Sequence, residues 1–165
     1  MKALILVLLL GSQIFGSVSA SEAKIKRSDL QMLTGAWSGT LTYLDYRSQK
    51  KVSIPANLNV RPNGEDKWSW IFEYEYPDEP HANSREVVKL SKDGDSINGE
   101  VVVERMSMPG NTVRLVTEKR GEDNNRRAYF RFTYLVNAKS FSIRKEVRYE
   151  AENQFFERNE YSWKR

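Results

Sequence analysis

The residues able to do chemistry in this sequence are few and scattered. It has no cysteine, which excludes thiol chemistry, and one histidine, His81, which lies in a polar loop away from any catalytic or metal-binding spacing. A glycosidase-type carboxylate pair would draw on Asp45, Glu104 or Glu146, but no acid–base pair stands out among the 22 acidic residues. We therefore predict no catalytic residue, no metal site and no cofactor. A binding protein is favoured over an enzyme, and a hydrolase stays open as the lesser alternative.

An aromatic stripe between residues 67 and 76 is the strongest pattern in the chain. Its alternate positions carry rings, and the intervening ones are mostly polar or charged, which is the period of a half-buried strand. The ring-bearing positions are Trp68, Trp70, Phe72, Tyr74 and Tyr76. Such rings either pack a core or line an apolar pocket. We predict that Trp70, Phe72 and Tyr74 contact a ligand.

Later segments add aromatic and basic side chains to this set. Tyr134 lies on the aromatic face of the segment 127–136, with Arg131 on its other face, and both are predicted as further ligand contacts. Arg105 and Lys145 each lie on an otherwise apolar face. A basic side chain inside a barrel is costly unless it is paired. These residues therefore either meet an anionic group of a ligand or reach solvent at a rim.

The elements that must position these residues are strands. Alternation with period two continues from Gly35 to the end of the chain, broken by turn residues and by no helical segment. The predicted strands span residues 38–46, 52–60, 67–76, 85–90, 96–105, 112–119, 127–136, 140–149 and 154–164. Short connections indicate an antiparallel meander, and closure removes its exposed edges. We predict an all-β protein: a single antiparallel meander β-barrel of about 8–10 strands.

A short N-terminal helix is predicted before the first strand. Ser28 is placed to cap it, with Gln31 three residues later as its capping-box partner, and the helix is expected to end before Gly35. The domain organisation that follows is a short segment with a helical turn at residues 21–34 and a barrel domain at residues 35–165.

The first twenty residues have the layout of a secretory signal. Lys2 supplies a positive start, residues 3–10 are apolar, and Val18-Ser19-Ala20 has the small residues that a signal peptidase recognises. The apolar run is too short to span a bilayer as a helix, although an uncleaved anchor stays open as an alternative. We predict a signal peptide at residues 1–20, cleaved near Ala20, and no transmembrane segment in the mature chain.

The amino-acid composition limits the cellular compartment and the classes of partner that we expect for this protein. Absence of cysteine excludes a lipid-anchored lipoprotein and favours the bacterial periplasm over eukaryotic secretion, where disulfides are usual. The net charge is only +4, with both signs interspersed, so no nucleic-acid partner is predicted. The expected product is an exported protein, either periplasmic or secreted.

The segment Gly35-Ala36-Trp37 follows the predicted helix and opens the first strand. This resembles the Gly-x-Trp start of the calycin superfamily, which includes the lipocalins and the fatty-acid-binding proteins. The resemblance implies that Trp37 closes the base of the barrel, and that a basic residue at the chain end, Arg165 or Lys164, packs across it; both partners would be structural. The motif covers the first strand and the last few residues only, and the helix pair of fatty-acid-binding proteins is absent from residues 47–50.

Two functions are consistent with this sequence. The resemblance implies binding of small apolar molecules inside the barrel, so we expect a small apolar or amphipathic ligand. The alternative is a packed barrel that acts as a protein- or glycan-interaction module through an outer aromatic face. The direction in which the stripe of residues 67–76 points discriminates between the two.

Overall fold

The computed structural model describes residues 23–45 and 47–165; the predicted signal peptide at residues 1–20 lies outside them. Within these ranges a short helix, α1 (Arg27–Gln31), precedes eleven strands. The strands are β1 (Gly35–Asp45), β2 (Lys50–Pro55), β3 (Asn57–Asn63), β4 (Asp66–Glu75), β5 (Ser84–Lys89), β6 (Ser96–Ile97), β7 (Glu100–Met108), β8 (Thr112–Asp123), β9 (Arg126–Val136), β10 (Ser140–Tyr149) and β11 (Phe156–Lys164). None of the described helices is long and apolar enough to cross a membrane.

The strands form one antiparallel sheet that curls into a nearly closed barrel. Its order is β5-β4-β3-β1-β11-β10-β9-β8-β7-β6, so the first strand pairs with the last, Ser38 opposite Lys164. The two ends of this order meet at a single bridge between Leu90 and Ile97. The prediction of an all-β antiparallel barrel with a short N-terminal helix is confirmed.

Proline divides one predicted strand. The segment 52–60 is two strands, because Pro55 ends β2 and lacks the N–H that a continuous ladder requires. The N–H of Ala56 instead donates to the carbonyl of Gly39 at 2.9 Å. β3 pairs with the start of β1 in the barrel wall, whereas β2 pairs with the later part of β1.

A tight turn divides a second predicted strand, and here the prediction of one strand over 96–105 is wrong. Asn98 and Gly99 have φ angles of 49° and 75°, so the chain reverses between β6 and β7. Asn-Gly is the dipeptide that two-residue hairpin turns favour, because both residues need positive φ. The reversal makes Glu100 the first residue of β7.

One end of the barrel is sealed by aromatic packing, and we call it the base: Leu33, Trp37, Phe141, Trp163 and Arg165, with helix α1 across them. The rings of Phe141 and Trp163 stack with centroids 5.1 Å apart, and Trp37 lies 6.1 Å from Phe141. The indole N–H of Trp37 donates to the backbone carbonyl of Leu33 at 2.7 Å, and that of Trp163 donates to the carbonyl of Ala56 at 2.9 Å. The base therefore has no unsatisfied indole.

Helix α1 is held to the barrel by a buried ion pair. Asp29 is 2% exposed, and Arg105 of β7 donates two hydrogen bonds of 2.9 Å to its carboxylate. Arg105 is therefore paired within the protein, and only 17% of its side chain is exposed. The helix starts at Arg27, and the Asp29 carboxylate accepts the N–H of Lys26 at 2.9 Å, so the prediction of Ser28 as the cap is wrong.

Candidate functional site

A cavity of about 260 Å³ lies inside the barrel above the base. Its lining combines apolar, aromatic and charged side chains from the helical segment and most strands. The lining residues are Leu30, Leu33, Phe72, Tyr74, Glu86, Val88, Ile97, Asn98, Glu100, Lys119, Phe132, Tyr134, Phe141, Ile143, Lys145, Asn159 and Tyr161. A concave site with apolar walls and a few polar groups is the usual form of a small-molecule site.

The floor of the cavity is apolar. Leu30 and Leu33 rise into it from the helical segment, at 1% and 0% exposure, because the Asp29–Arg105 ion pair holds that segment against the barrel end. Phe141 of the base forms part of the same surface. The base and the cavity floor are therefore two sides of one packed layer.

The most buried polar group in the wall is the carboxylate of Glu100, which is 5% exposed. It accepts hydrogen bonds from the hydroxyls of Thr117 at 2.6 Å and Tyr134 at 3.0 Å. Lys119 completes its shell with an ion pair of 3.1 Å. Burial, and then the nearby negative charge of Glu100, raises the pKa of Tyr134. This phenol therefore stays protonated and serves as a donor.

Tyrosine hydroxyls extend the polar wall upward from the floor. The hydroxyl of Tyr74 donates to Glu86 at 2.9 Å, and burial together with that carboxylate raises the pKa of Tyr74. The hydroxyls of Tyr76 and Tyr161 lie 2.6 Å apart. Burial and this hydrogen bond raise the pKa of Tyr161. The cavity thus changes from apolar to hydrogen-bonding with distance from the base.

The barrel wall is open beside these groups. β5 meets the β6–β7 hairpin at the Leu90–Ile97 bridge and at two hydrogen bonds between Lys89 and Asn98. The ladder between β7 and β8 begins at Val101 opposite Glu118, and β7 starts one residue earlier, so residues 120–123 extend beyond the start of β7. The Asn98-Gly99 turn therefore leaves a gap between β5 and the end of β8, and Glu86, Asn98, Glu100 and Lys119 border it inside the cavity.

Lys145 and Asn159 form the part of the wall that β10 and β11 build, in the middle of the sheet order. They are directly opposite each other in the β10–β11 ladder, and both are partly buried. The amine of Lys145 lies 4.4 Å from the ring centroid of Phe130. Among the described residues, neither side chain has a hydrogen bond or ion pair. Burial lowers the pKa of Lys145, and Arg158 and Lys119 lower it further, while Asp123 and Glu100 oppose them.

The predicted ligand contacts divide into three groups. Phe72, Tyr74 and Tyr134 line the cavity, so the aromatic face of β4 points into the barrel. Trp70 is 1% exposed and lies against α1, with the guanidinium of Arg27 6.0 Å from its ring centroid, outside the cavity lining. Arg131 points to the outer surface.

The outward position of Arg131 follows from strand alternation, since Phe132 and Tyr134 occupy the inward positions of β9. Its Nε donates to Glu118 at 2.8 Å, and its guanidinium lies 4.2 Å from the ring centroid of Phe155. It therefore has a local partner on the outer face.

The two residues predicted as structural lie together at the base. The guanidinium of Arg165 is 3.9 Å from the ring centroid of Trp37, and it donates to the carbonyl of Leu33 at 3.1 Å. Gly35 has a φ of 119°, a conformation that side chains disfavour, and Arg165 occupies the space next to it. Both the backbone conformation and the adjacent Arg165 side chain therefore favour glycine at the first position of the Gly-x-Trp segment.

The carboxylates considered for hydrolysis lie outside the cavity. Asp45 accepts hydrogen bonds from Arg47 and Ser48 in the β1–β2 connection. Glu104 is paired with Arg114, and Glu146 lies beside Arg131 on the outer face. The described part of the chain holds no group of histidine and acidic residues arranged to bind a metal ion.

Sequence reasoning missed Glu100, the central acid of the cavity wall. The signal that would have found it is the Asn98-Gly99 dipeptide, since recognising the turn changes the face on which each following residue lies. Lys145 was recognised as a charge on an apolar face, but only the fold brings it beside Asn159.

No family model matches the chain, and no curated protein matches it in sequence. Among solved structures, the crystal structure of Rv2717c from M. tuberculosis is similar to this barrel, with a TM-score of 0.56. The superposition covers 84% of this chain and 95% of that one, at 10% sequence identity. At this identity the similarity shows a shared fold.

Proposed function

We propose that this chain is an exported binding protein that holds a small amphipathic molecule in the barrel cavity. The observation that carries the proposal is the cavity itself, about 260 Å³ with an apolar floor and a hydrogen-bonding wall. Phe72, Tyr74 and Tyr134 are the proposed contacts that the sequence also predicts.

The polarity gradient supports an amphipathic ligand rather than a purely apolar one. Burying an apolar group on Leu30, Leu33 and Phe141 is favourable in proportion to the area removed from water. A polar group at that depth would lose its hydrogen bonds to water, whereas higher in the cavity it meets hydroxyl, carboxylate and amine groups. The gap beside Glu86 and Asn98 offers a route from solvent.

The alternative, an interaction module with an outer aromatic face, loses its main argument. It requires the stripe on β4 to face solvent, yet Phe72 and Tyr74 line the cavity and Trp70 is buried against α1. A calycin-like relationship remains part of the proposal, supported by the Gly-x-Trp start, by Arg165 over Trp37, and by the first strand pairing with the last.

Export rests on the layout of residues 1–20 alone. Its test is the intact mass of the protein isolated from its own host, separated into envelope and cytosolic fractions. We expect a chain that begins at Ser21 in the exported fraction. A full-length chain starting at Met1 in the cytosol would contradict export and leave the cavity proposal unaffected.

Native mass spectrometry of the same preparation tests the ligand. We expect an additional discrete mass that is present under native conditions and lost on denaturation. As a second readout, a neutral fluorescent probe such as N-phenyl-1-naphthylamine should bind the ligand-free protein at one site.

Two matched variants locate that site. Ile143→Phe adds a ring at a partly buried cavity position, whereas Leu135→Phe makes a similar change on the outer face of β9, where Leu135 is 37% exposed. We expect Ile143→Phe to abolish probe binding and Leu135→Phe to preserve it. Equal binding by both variants, with no native adduct in the wild type, would overturn the cavity proposal.

A further inference from the structure

We propose that Lys145 and Asn159 bind the anionic group of a compact aromatic ligand, whose ring occupies the apolar part of the cavity. This inference rests on the proposed function and specifies its ligand: an aromatic monoanion such as a carboxylate. The site is the point where β10 and β11 place an amine and an amide side by side on the cavity wall.

The charge balance of the cavity singles out Lys145. Four charged side chains of the described residues line it, and two of them, Glu100 and Lys119, neutralise each other at 3.1 Å. Lys145 has no carboxylate partner within ion-pair distance among the described residues. Its close neighbours include the rings of Phe130 and Phe132, the latter directly opposite it in the β9–β10 ladder. A partly buried amine of this kind gains more from an anion than an exposed lysine does.

Asn159 supplies the second donor. Its amide is opposite Lys145 in register, lines the cavity, and has no hydrogen-bond partner among the described residues. An amine and an amide at adjacent positions match two acceptor oxygens. Glu86 lies on β5, which is one end of the sheet order and four strands from β11, and it repels an anion, which orients the charged end of the ligand toward β10.

The size and the lining of the cavity indicate a ring rather than a long chain. An engineered apolar cavity of about 150 Å³ binds benzene, and sites for drug-sized ligands begin near 300 Å³. A cavity of about 260 Å³ therefore suits one or two fused rings with a small substituent. The rings that surround it are Phe72, Tyr74, Phe132, Tyr134, Phe141 and Tyr161, and aromatic pairs add to the free energy of simple burial.

Calorimetric titration with four probes tests the inference. The probes are 2-naphthoate, its neutral amide, 2-naphthylmethylammonium and palmitate. For the wild-type protein we expect naphthoate to bind at least about tenfold more tightly than the amide, and the ammonium compound to bind more weakly than both, since tenfold corresponds to one buried charge contact of about 1.4 kcal/mol. Palmitate should not exceed naphthoate, because its chain is too long for the cavity.

Three lysine variants test whether Lys145 causes the preference for naphthoate over its amide. In Lys145→Met, naphthoate should fall to within about twofold of the amide, while the affinity for the amide is retained. Lys145→Arg keeps the charge and should keep the preference. Lys139→Met removes an exposed lysine from the β9–β10 turn and should behave as the wild type.

The outcomes separate this inference from the proposed function. If the amide binds as tightly as naphthoate, or if Lys145→Met leaves the preference intact, the anion site is wrong while the binding cavity stands. If palmitate binds most tightly, the compact-ring assignment is wrong. If no probe binds, the inference is overturned, and the native-mass experiment alone decides the proposed function.

Discussion

The base and the cavity wall of this barrel are built from similar aromatic residues, yet they differ in what surrounds the rings. At the base, Trp37, Phe141 and Trp163 are at most 2% exposed and pack on one another. On the cavity wall, Tyr74 and Tyr134 turn their hydroxyls to carboxylates, and about 260 Å³ beside them is left unfilled. The base is packed as a core, whereas the wall above it encloses a cavity.

This difference shows that the contacts that stabilise this small barrel and the groups that we propose for binding lie in separate regions. Close packing leaves no space for a ligand, and charged groups in a cavity contribute little net stability because their desolvation offsets their attraction. The chain therefore concentrates ring stacking, α1 and the Arg165 contact at one end. The cavity differs from the base in this respect: Lys145 lines it and has no ion-pair partner among the described residues.

Truncation at the base should give the largest loss of stability. Trp37→Ala removes a fully buried ring, its indole hydrogen bond and the surface under Arg165, and we expect a cost of about 3–5 kcal/mol in the free energy of unfolding. Phe132→Ala, in the partly exposed cavity wall, should cost less than about 2 kcal/mol because part of its ring already faces empty space. Denaturant unfolding monitored by circular dichroism measures both. Equal costs would remove the distinction between the two regions.

The ion pair that holds α1 should have the next largest effect. Asp29→Asn leaves Arg105 largely buried without a counter-ion, and we expect a loss of about 2–4 kcal/mol, reduced by the solvent that reaches the guanidinium. The double variant Asp29→Leu with Arg105→Met removes both charges and should recover most of that loss. A double variant that is no more stable than Asp29→Asn would mean that the ion pair is not what fastens the helix.

The smallest change in the free energy of unfolding is expected for a substitution of Lys145, and this change should stabilise the protein. Burial lowers its pKa in the folded protein, so its charged form opposes folding, and Lys145→Met should stabilise the protein by at most about 1 kcal/mol near neutral pH, since the amine is partly solvated. A lysine with a lowered folded pKa imposes this cost fully below that pKa. The cost is relieved as the pH rises toward the unfolded value of about 10.4.

The measurement is the difference in melting temperature between the wild type and Lys145→Met across pH 7–10.5. The advantage of the variant should shrink toward the alkaline end. A variant that is less stable than the wild type at pH 7 would show that Lys145 is a structural residue, and the contrast between base and cavity would then be weaker than described.

Much of the architecture was predictable because strand patterns are local. The alternation of rings in residues 67–76 predicted β4, because it depends on a few neighbouring residues. The single strand predicted over 52–60 is two strands, since Pro55 ends the first of them. Ser28 was mistaken for the cap because Ser28 and Gln31 have the spacing of a capping box, whereas in the structure the cap is Lys26, whose N–H donates to Asp29. The strand predicted over 96–105 failed because the Asn-Gly turn was not recognised.

By itself the sequence determined an all-β antiparallel barrel, the short helix before it, and which side chains share a face within β4 and within β9. Only the tertiary structure decided which face points inward, that Trp70 packs against α1 while Phe72 and Tyr74 line a cavity, and that Arg131 faces outward. It also decided that Lys145 lies beside Asn159, and that Glu100 meets Tyr134 across the intervening strand β8. The reason is physical: periodicity records the relation of a residue to its own strand, whereas a site depends on strand register and barrel closure, which long-range contacts determine.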